Sequence, residues 1–231
     1  MKILFCAYRP WAVNVYKKIK KYNTYLDIQL AKSEKEFYKS LNEVHPDVII
    51  MVGWSWIIPQ KVLETDLPEY AGGSPIQHQI IDGVTETKGS LFKASTKLDL
   101  GPIIYKEELD LSGNMTSVFN NLEKCATLLV SRFIKNYPEV PIIEQEENKP
   151  EIVCMWPMWA DTGPQKETKV RKRLKPEDSK LTKTKLFLMS CEQLYNFIRC
   201  REEPYPNVYM EDSRGRIYFK LVEYEPKKDD K

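Results

Sequence analysis

The sequence predicts an α/β protein, with a Rossmann-like, mostly parallel sheet and a small C-terminal α+β appendage. Three observations carry that expectation. Lys2–Ala7, Tyr25–Ala31 and Asp47–Val52 are short runs, continuously apolar or alternating, of the kind that form strands. Between them, Trp11–Tyr22 and Ser33 to about Val44 carry apolar residues at helical spacing. Strand, helix, strand, helix, strand is the order of a parallel sheet with helical crossovers, and such sheets bind ligands beyond the carboxyl ends of their strands. Third, 231 residues that are 42% hydrophobic and 29% charged suit a soluble globular chain of one large domain and a smaller one. We place the boundary at an acidic, Pro-bearing stretch, giving domains of residues 1–150 and 151–231.

Taken in order, Lys2–Ala7 is a buried first strand. The helix over Trp11–Tyr22 has a basic outer face at Lys17, Lys18, Lys20 and Lys21. Ser33-Glu34-Lys35-Glu36 is a capping box that starts the second helix. The third strand exits into Gly53-Trp54-Ser55-Trp56-Ile57-Ile58-Pro59, where glycine allows a sharp turn and the aromatics form an apolar wall. Ile76–Ile81 reads as a short helix opened by Pro75, which suits a first helical position. Thr87–Thr96 alternates as a strand does, and Tyr105–Leu109 continues as an edge-like strand. Thr116 to about Tyr137 is helical by its spacing, with Val118, Leu122, Ala126 and Leu129 on one face. Beyond residue 151, Cys191–Arg199 reads as a helix, and Val208–Met210 with Arg216–Val222 as a hairpin around Asp212-Ser213-Arg214-Gly215.

Several function classes are excluded or weakened. A net charge of +2 is too small to argue for nucleic acid by itself. The apolar run at Ile3–Ala7 is too short for a signal-peptide core, and no stretch is long enough to span a membrane. The five cysteines are scattered and none forms a Cys-x-x-Cys pair, which points to reduced thiols in a cytoplasmic setting and to no metal site. No G-x-G-x-x-G follows the first strand. Tyr8-Arg9-Pro10-Trp11 stands there instead, which argues against a nicotinamide-dinucleotide enzyme. Arg9 is either a ligand contact or a solvated cation beside a Trp11 that packs on the sheet. Trp54 and Trp56 likewise either wall a pocket or pack against a helix. The basic stretch Lys166–Lys185 could bind phosphate or RNA, but a solvated loop is its ordinary reading.

The stretch from Asp66 to Ile104 organises the rest. Leu67-Pro68-Glu69-Tyr70, Gly72-Gly73-Ser74-Pro75 and Leu98-Asp99-Leu100-Gly101 fall in an order and at separations that resemble the formyltransferases dependent on N10-formyltetrahydrofolate. That family includes methionyl-tRNA formyltransferase and the sugar N-formyltransferases. The resemblance implies an enzyme that moves a formyl group from N10-formyltetrahydrofolate to the amine of a nucleotide-linked amino sugar, thymidine- or uridine-diphosphate in type. A short tail favours the sugar over tRNA, and a homodimer is expected by analogy with the sugar enzymes. It further implies Asp99 as the catalytic carboxylate. Gly53, Trp54, Ser55, Trp56, Ile57 and Ile58 with Asp99 would form the folate site, and Arg9, Tyr70, Ser74, Pro75 and Gln77 the acceptor site.

Formyl transfer requires the amine to lose a proton as it attacks, a stabilised oxyanion, and protonation of the departing folate nitrogen. In the family an Asn-x-His just before the Leu-Pro motif supplies the oxyanion and proton groups, with the Asp orienting the His. Here Val62-Leu63-Glu64-Thr65-Asp66 carries neither, and Ala71 stands where the family has Arg. The alternatives are therefore a methionyl-tRNA formyltransferase, or a folate- or nucleotide-binding relative with impaired catalysis. His45 falls at the amino end of the third strand, and His78 lies on the helix after the glycines. Neither stands at the position of the family's histidine. Gly53 to Leu67 is also short for a parallel return strand, which normally needs a crossover of a dozen or more residues.

Overall fold

The computed structural model describes residues 1–56, 74–94, 101–143 and 173–227. Five elements alternate at the start: β1 (Lys2–Cys6), α1 (Pro10–Tyr22), β2 (Asp27–Ala31), α2 (Glu34–Val44) and β3 (Val48–Met51). Strand β1 is central in a parallel sheet of order β2-β1-β3, with Lys2 level with Asp27 and Cys6 level with both Ala31 and Met51. This is the parallel α/β arrangement expected from the strand–helix alternation. Every residue of Ile3–Ala7 is fully buried, as a strand between two others and between two helical layers must be.

Period two sorts the two sides of β1. Leu4 and Cys6 join Ala31 and Phe37 of α2 in one core cluster. Phe5 meets Tyr16 of α1 at 5.7 Å between ring centroids. Helix α1 buries Trp11, Ala12, Val15 and Ile19, a stripe at helical spacing, and leaves Lys17, Lys20 and Lys21 exposed. The cap of α2 differs in one detail from expectation. Ser33 Oγ accepts the Glu36 N–H at 3.2 Å, but Glu36 reaches past Ser33 to the Lys32 N–H at 2.8 Å.

The next elements are α3 (Pro75–Ile81), β4 (Glu86–Phe92), β5 (Ile103–Asp110) and α4 (Met115–Asn136). The strand expected over Thr87–Thr96 forms as β4 and, among the described residues, pairs with β5 in a separate two-stranded sheet. Lys93 N–H bonds Pro102 O and Leu111 N–H bonds Thr85 O, so the two strands run antiparallel. Gly89 lets α4 approach, since a Cβ there would collide with Cys125 Sγ. Glu123 ties α4 to α1, accepting Lys18 Nζ at 2.6 Å and Asn14 Nδ2 at 3.0 Å.

The chain ends in a 3-10 turn (Pro176–Ser179), α5 (Lys183–Leu188), α6 (Cys191–Arg199), β6 (Val208–Glu211) and β7 (Arg216–Phe219). The stretch Lys166–Lys185, expected to be a solvated loop, includes the 3-10 turn and, at its end, Thr182 and the first three residues of α5. Leu186, Phe187 and Leu188 of α5 are exposed, which hides the helix from any search for an apolar face. Helix α6 begins with a full capping box, Ser190 with Gln193. The β6–β7 hairpin matches expectation, with Val208 level with Phe219 and Asp212 accepting the Arg214 and Gly215 amides in the turn.

The chain divides into two compact units. One comprises the described residues of Met1–Ala71, Lys88–Leu109 and Phe119–Trp159, and holds the parallel sheet. The other comprises those of Gly72–Thr87, Asp110–Val118 and Ala160–Lys231. In the second unit Arg199, 3% exposed, donates through Nη1 to the Leu111 and Gly113 carbonyls at 2.8 Å each, and through Nε to Asn196. Glu202 Oε2 accepts the Met115 amide at 2.9 Å, covering an orphan donor at the start of α4. No helix among the described residues is long and apolar enough to cross a membrane.

Candidate active site

The sheet unit concentrates unusual chemistry at the carboxyl ends of β1 and β3. There the Val52 N–H bonds the Cys6 carbonyl, and each chain then leaves the sheet. After β1 comes Tyr8-Arg9-Pro10, which runs straight into α1. After β3 comes Gly53, whose φ of +59° is a left-handed conformation that glycine adopts without strain. A Cβ at Gly53 would stand 2.8 Å from Trp11 Cζ2, so this glycine serves both the turn and the close approach of the indole.

The two loops are joined by aromatic rings. Tyr8 lies 4.7 Å from Trp56 and 6.4 Å from Trp54, and the two tryptophans are 4.7 Å apart, all inclined rather than stacked. Inclined pairs at these separations are favourable contacts for ring quadrupoles. Tyr8 Oη and Ser55 Oγ form a hydrogen bond of 2.7 Å that pins one loop to the other. The Arg9 guanidinium carbon sits 5.3 Å from the centre of the Tyr8 ring. Trp54 is anchored differently from its neighbour, because it packs on the Leu4–Phe37 core and meets the Phe37 ring at 6.1 Å. Both readings of the tryptophan pair thus have a part here: Trp54 is a packing residue, and Trp56 rests on it and on Tyr8.

Arg9, Gly53, Trp54, Ser55 and Trp56 are therefore brought together in one unit. Ser74, Pro75 and Gln77 belong to the other and are engaged there. Ser74 Oγ accepts the Leu174 amide at 3.2 Å, Pro75 opens α3, and Gln77, 5% exposed, donates to the Cys200 carbonyl at 3.0 Å. Ile57, Ile58, Tyr70 and Asp99 lie outside the described residues. Sequence reading marks the Tyr- and Arg-bearing loop after the first strand as one that could contact a ligand, but not that Tyr8 bridges the two loops. Its one signal there is its place two residues beyond the end of the first strand.

Three of the cysteines among the described residues are buried and poor nucleophiles. Burial pushes the Cys6 thiol up to about 12. Burial, with the Glu107 charge nearby, pushes Cys125 up to about 11. Cys200 also rises to about 11 by burial, against the opposing pull of Arg201 and Arg199. Such thiols stay protonated and inert at neutral pH. His45 ends α2 at the amino end of β3, away from the carboxyl-edge loops. The site can present aromatic surface, a phenol, a hydroxyl and a guanidinium, which suits binding a planar heterocycle or a polar acceptor.

Residues 13–125 match the formyl transferase family. Curated methionyl-tRNA formyltransferases are similar in sequence. That of Caldicellulosiruptor saccharolyticus is 27% identical over 131 residues, 51% of this chain and 42% of the relative. The match thus spans about two fifths of the length of the curated relatives. Among solved structures, methionyl-tRNA formyltransferase from Clostridium thermocellum superposes with a TM-score of 0.74 at 23% identity, covering 97% of this chain and 94% of the other. A sugar N-formyltransferase from Shewanella superposes at 0.66 and 11% identity, covering 98% and 99%. HypX from Aquifex aeolicus, in complex with tetrahydrofolic acid, superposes at 0.60 and 15% identity, covering 91% of this chain and 36% of its own.

Proposed function

We propose that this chain, whose residues 13–125 match the formyl transferase family, transfers a formyl group from N10-formyltetrahydrofolate to the primary amine of a nucleotide-linked amino sugar. The observation that carries the binding part of this reading is the ring cluster of Tyr8, Trp54 and Trp56 on the Gly53 turn. A partly exposed aromatic cluster at the carboxyl edge of a parallel sheet suits a planar pterin. Tetrahydrofolic acid bound to the structurally similar HypX supports a folate donor.

In this reading Gly53, Trp54, Ser55 and Trp56, with Ile57 and Ile58 beyond them, receive the folate, and Arg9 faces the acceptor. Asp99 is the carboxylate that assists proton movement from the attacking amine, as the Leu98-Asp99-Leu100-Gly101 resemblance implies. Tyr70, Ser74, Pro75 and Gln77 complete the proposed acceptor set. Ser74 Oγ already accepts from the Leu174 amide, and Gln77 Nε2 already donates to the Cys200 carbonyl.

A second reading has a specific observation in its favour: the curated relatives similar in sequence are methionyl-tRNA formyltransferases. In that case the acceptor is the amine of an aminoacylated tRNA. One experiment separates the two. Formyl transfer is measured with N10-formyltetrahydrofolate against thymidine- and uridine-linked amino sugars and against methionyl-tRNA, beside an Asp99→Asn control. Sugar turnover abolished by Asp99→Asn upholds the proposal. Turnover of methionyl-tRNA alone, weakening steeply as salt rises, replaces the first reading by the second. Folate binding without turnover of any acceptor identifies a binding protein that lacks the Asn-x-His chemistry.

A further inference from the structure

Helix α5 buries none of its residues. Leu186, Phe187 and Leu188 close it at 40%, 91% and 75% exposure, and Thr182 to Lys185 before them are exposed as well. The helix has six residues. So short a helix is not stable in water through its own hydrogen bonds, and helices in proteins owe most of their stability to a packed apolar face. Here the two ends are tied down instead. Thr182 caps the start, and Lys185 Nζ donates to the Lys180 carbonyl at 3.4 Å. Met189, the next residue after the helix, packs on the core of Leu181, Phe197, Ile198 and Val208. The apolar turn between these anchors is presented outward.

Charge narrows what can cover that turn. From Ser179 to Cys191 the chain carries Lys180, Lys183 and Lys185 and no acidic residue. Lys180 is paired with Glu211, and Lys185 Nζ lies 5.4 Å from the centre of the Phe197 ring. Lys183 precedes Leu186 by three residues and Phe187 by four, so it shares their side of the helix. A second copy seated on the same turn by two-fold symmetry would bring like lysines together. A stable protein partner needs about 800 Å² from each side, which one turn of three apolar residues does not supply. A lipid surface meets neither obstacle. Leucine and phenylalanine enter the boundary of the acyl chains, and a lysine beside them extends its stem along the apolar side and keeps its ammonium among anionic headgroups.

We propose that the Leu186-Phe187-Leu188 turn of α5, with Lys183, is a docking point for a bilayer surface that bears anionic lipids. The chain lies on such a surface and does not cross it, in keeping with described helices that are too short or too polar to span. One apolar turn makes a weak and reversible anchor that salt loosens. The proposal is independent of which amine accepts the formyl group.

The test is flotation of the full chain with vesicles of phosphatidylcholine alone and of phosphatidylcholine mixed with phosphatidylglycerol. Binding to the mixed vesicles only, weakening as salt rises, is expected. Phe187→Ser should weaken it about tenfold, because the largest inserted side chain is lost. Lys183→Glu should weaken it about fivefold by reversing a charge at the headgroups. Both positions are exposed, so both variants should keep the urea midpoint of the parent. A parent chain that does not float at millimolar lipid overturns the proposal. So does a Phe187→Ser chain that floats as the parent does, since the contact then lies elsewhere. A dimer in solution that Phe187→Ser dissociates, without flotation of the parent, overturns it in favour of a contact between copies.

Discussion

The phenol of Tyr8 and the hydroxyl of Ser55 are 2.7 Å apart, and this one bond joins the loop after β1 to the loop after β3. Residues 47 apart in sequence thereby act as one surface. Replacing Tyr8 by Phe keeps the ring against Trp56 and removes only that bond. The exposed bond contributes about 0.5–1 kcal/mol, so the Michaelis constant for the formyl donor should rise about two- to fivefold. Turnover at saturation should stay near the parent value. An unchanged Michaelis constant would show that the pair does not hold the loop for the donor.

Gly53→Ala tests the turn itself. The substitution places a Cβ at a left-handed φ and against the Trp11 ring. Together these should destabilise the fold by about 1–3 kcal/mol, read as a lowered urea midpoint with unchanged slope. A parent-like midpoint would mean that the turn relaxes freely.

In the second unit, Arg199→Met should be severe. It leaves the Leu111 and Gly113 carbonyls and the Asn196 amide oxygen without their shared donor. We expect a loss of about 2–4 kcal/mol in chemical denaturation, with faster hydrogen exchange around residues 111–115. Loss confined to Cys191–Arg199 would show that the guanidinium braces only its own helix.

The carboxylate of Glu211 is held below its ordinary value, first by the hydrogen bond from Lys180 and then by that from Arg216. A depressed folded value means that the stabilisation is present above the unfolded value and disappears as pH falls through the folded one. The β6–β7 pairing should therefore hold at neutral pH and loosen only in acid below the ordinary glutamate range. A carboxyl-carbon titration of Glu211 reads this directly, and a midpoint at or above the ordinary glutamate value would contradict it.

Thiol accessibility gives a fifth check. Cys6, Cys125 and Cys200 are buried with raised values, whereas Cys191 is exposed at the start of α6. Cys191→Ser should remove one equivalent from the rapid phase of labelling by a disulfide reagent in the native state. The same variant should leave the slow phase, which needs unfolding, unchanged.

Periodicity decided much of this protein in advance. The alternation in Lys2–Val52 determined three parallel strands and two crossovers, because burial on both faces demands apolar runs and helical crossovers demand an amphipathic stripe. Local chemistry likewise placed the Ser33 cap and the Asp212 turn, since each depends on residues within a few positions. The Gly53 loop was legible as a turn bearing aromatics, though not which ring is packed and which is offered. That division came from Phe37, which claims Trp54 through contact across the fold and leaves Trp56 to Tyr8. The pairing of β4 with β5, the capture of Gln77 by a carbonyl 123 residues away, and the unpartnered Trp11 indole were equally beyond local reading. Hydrogen bonds and packing between distant segments depend on which surfaces meet, and only the tertiary structure decides that.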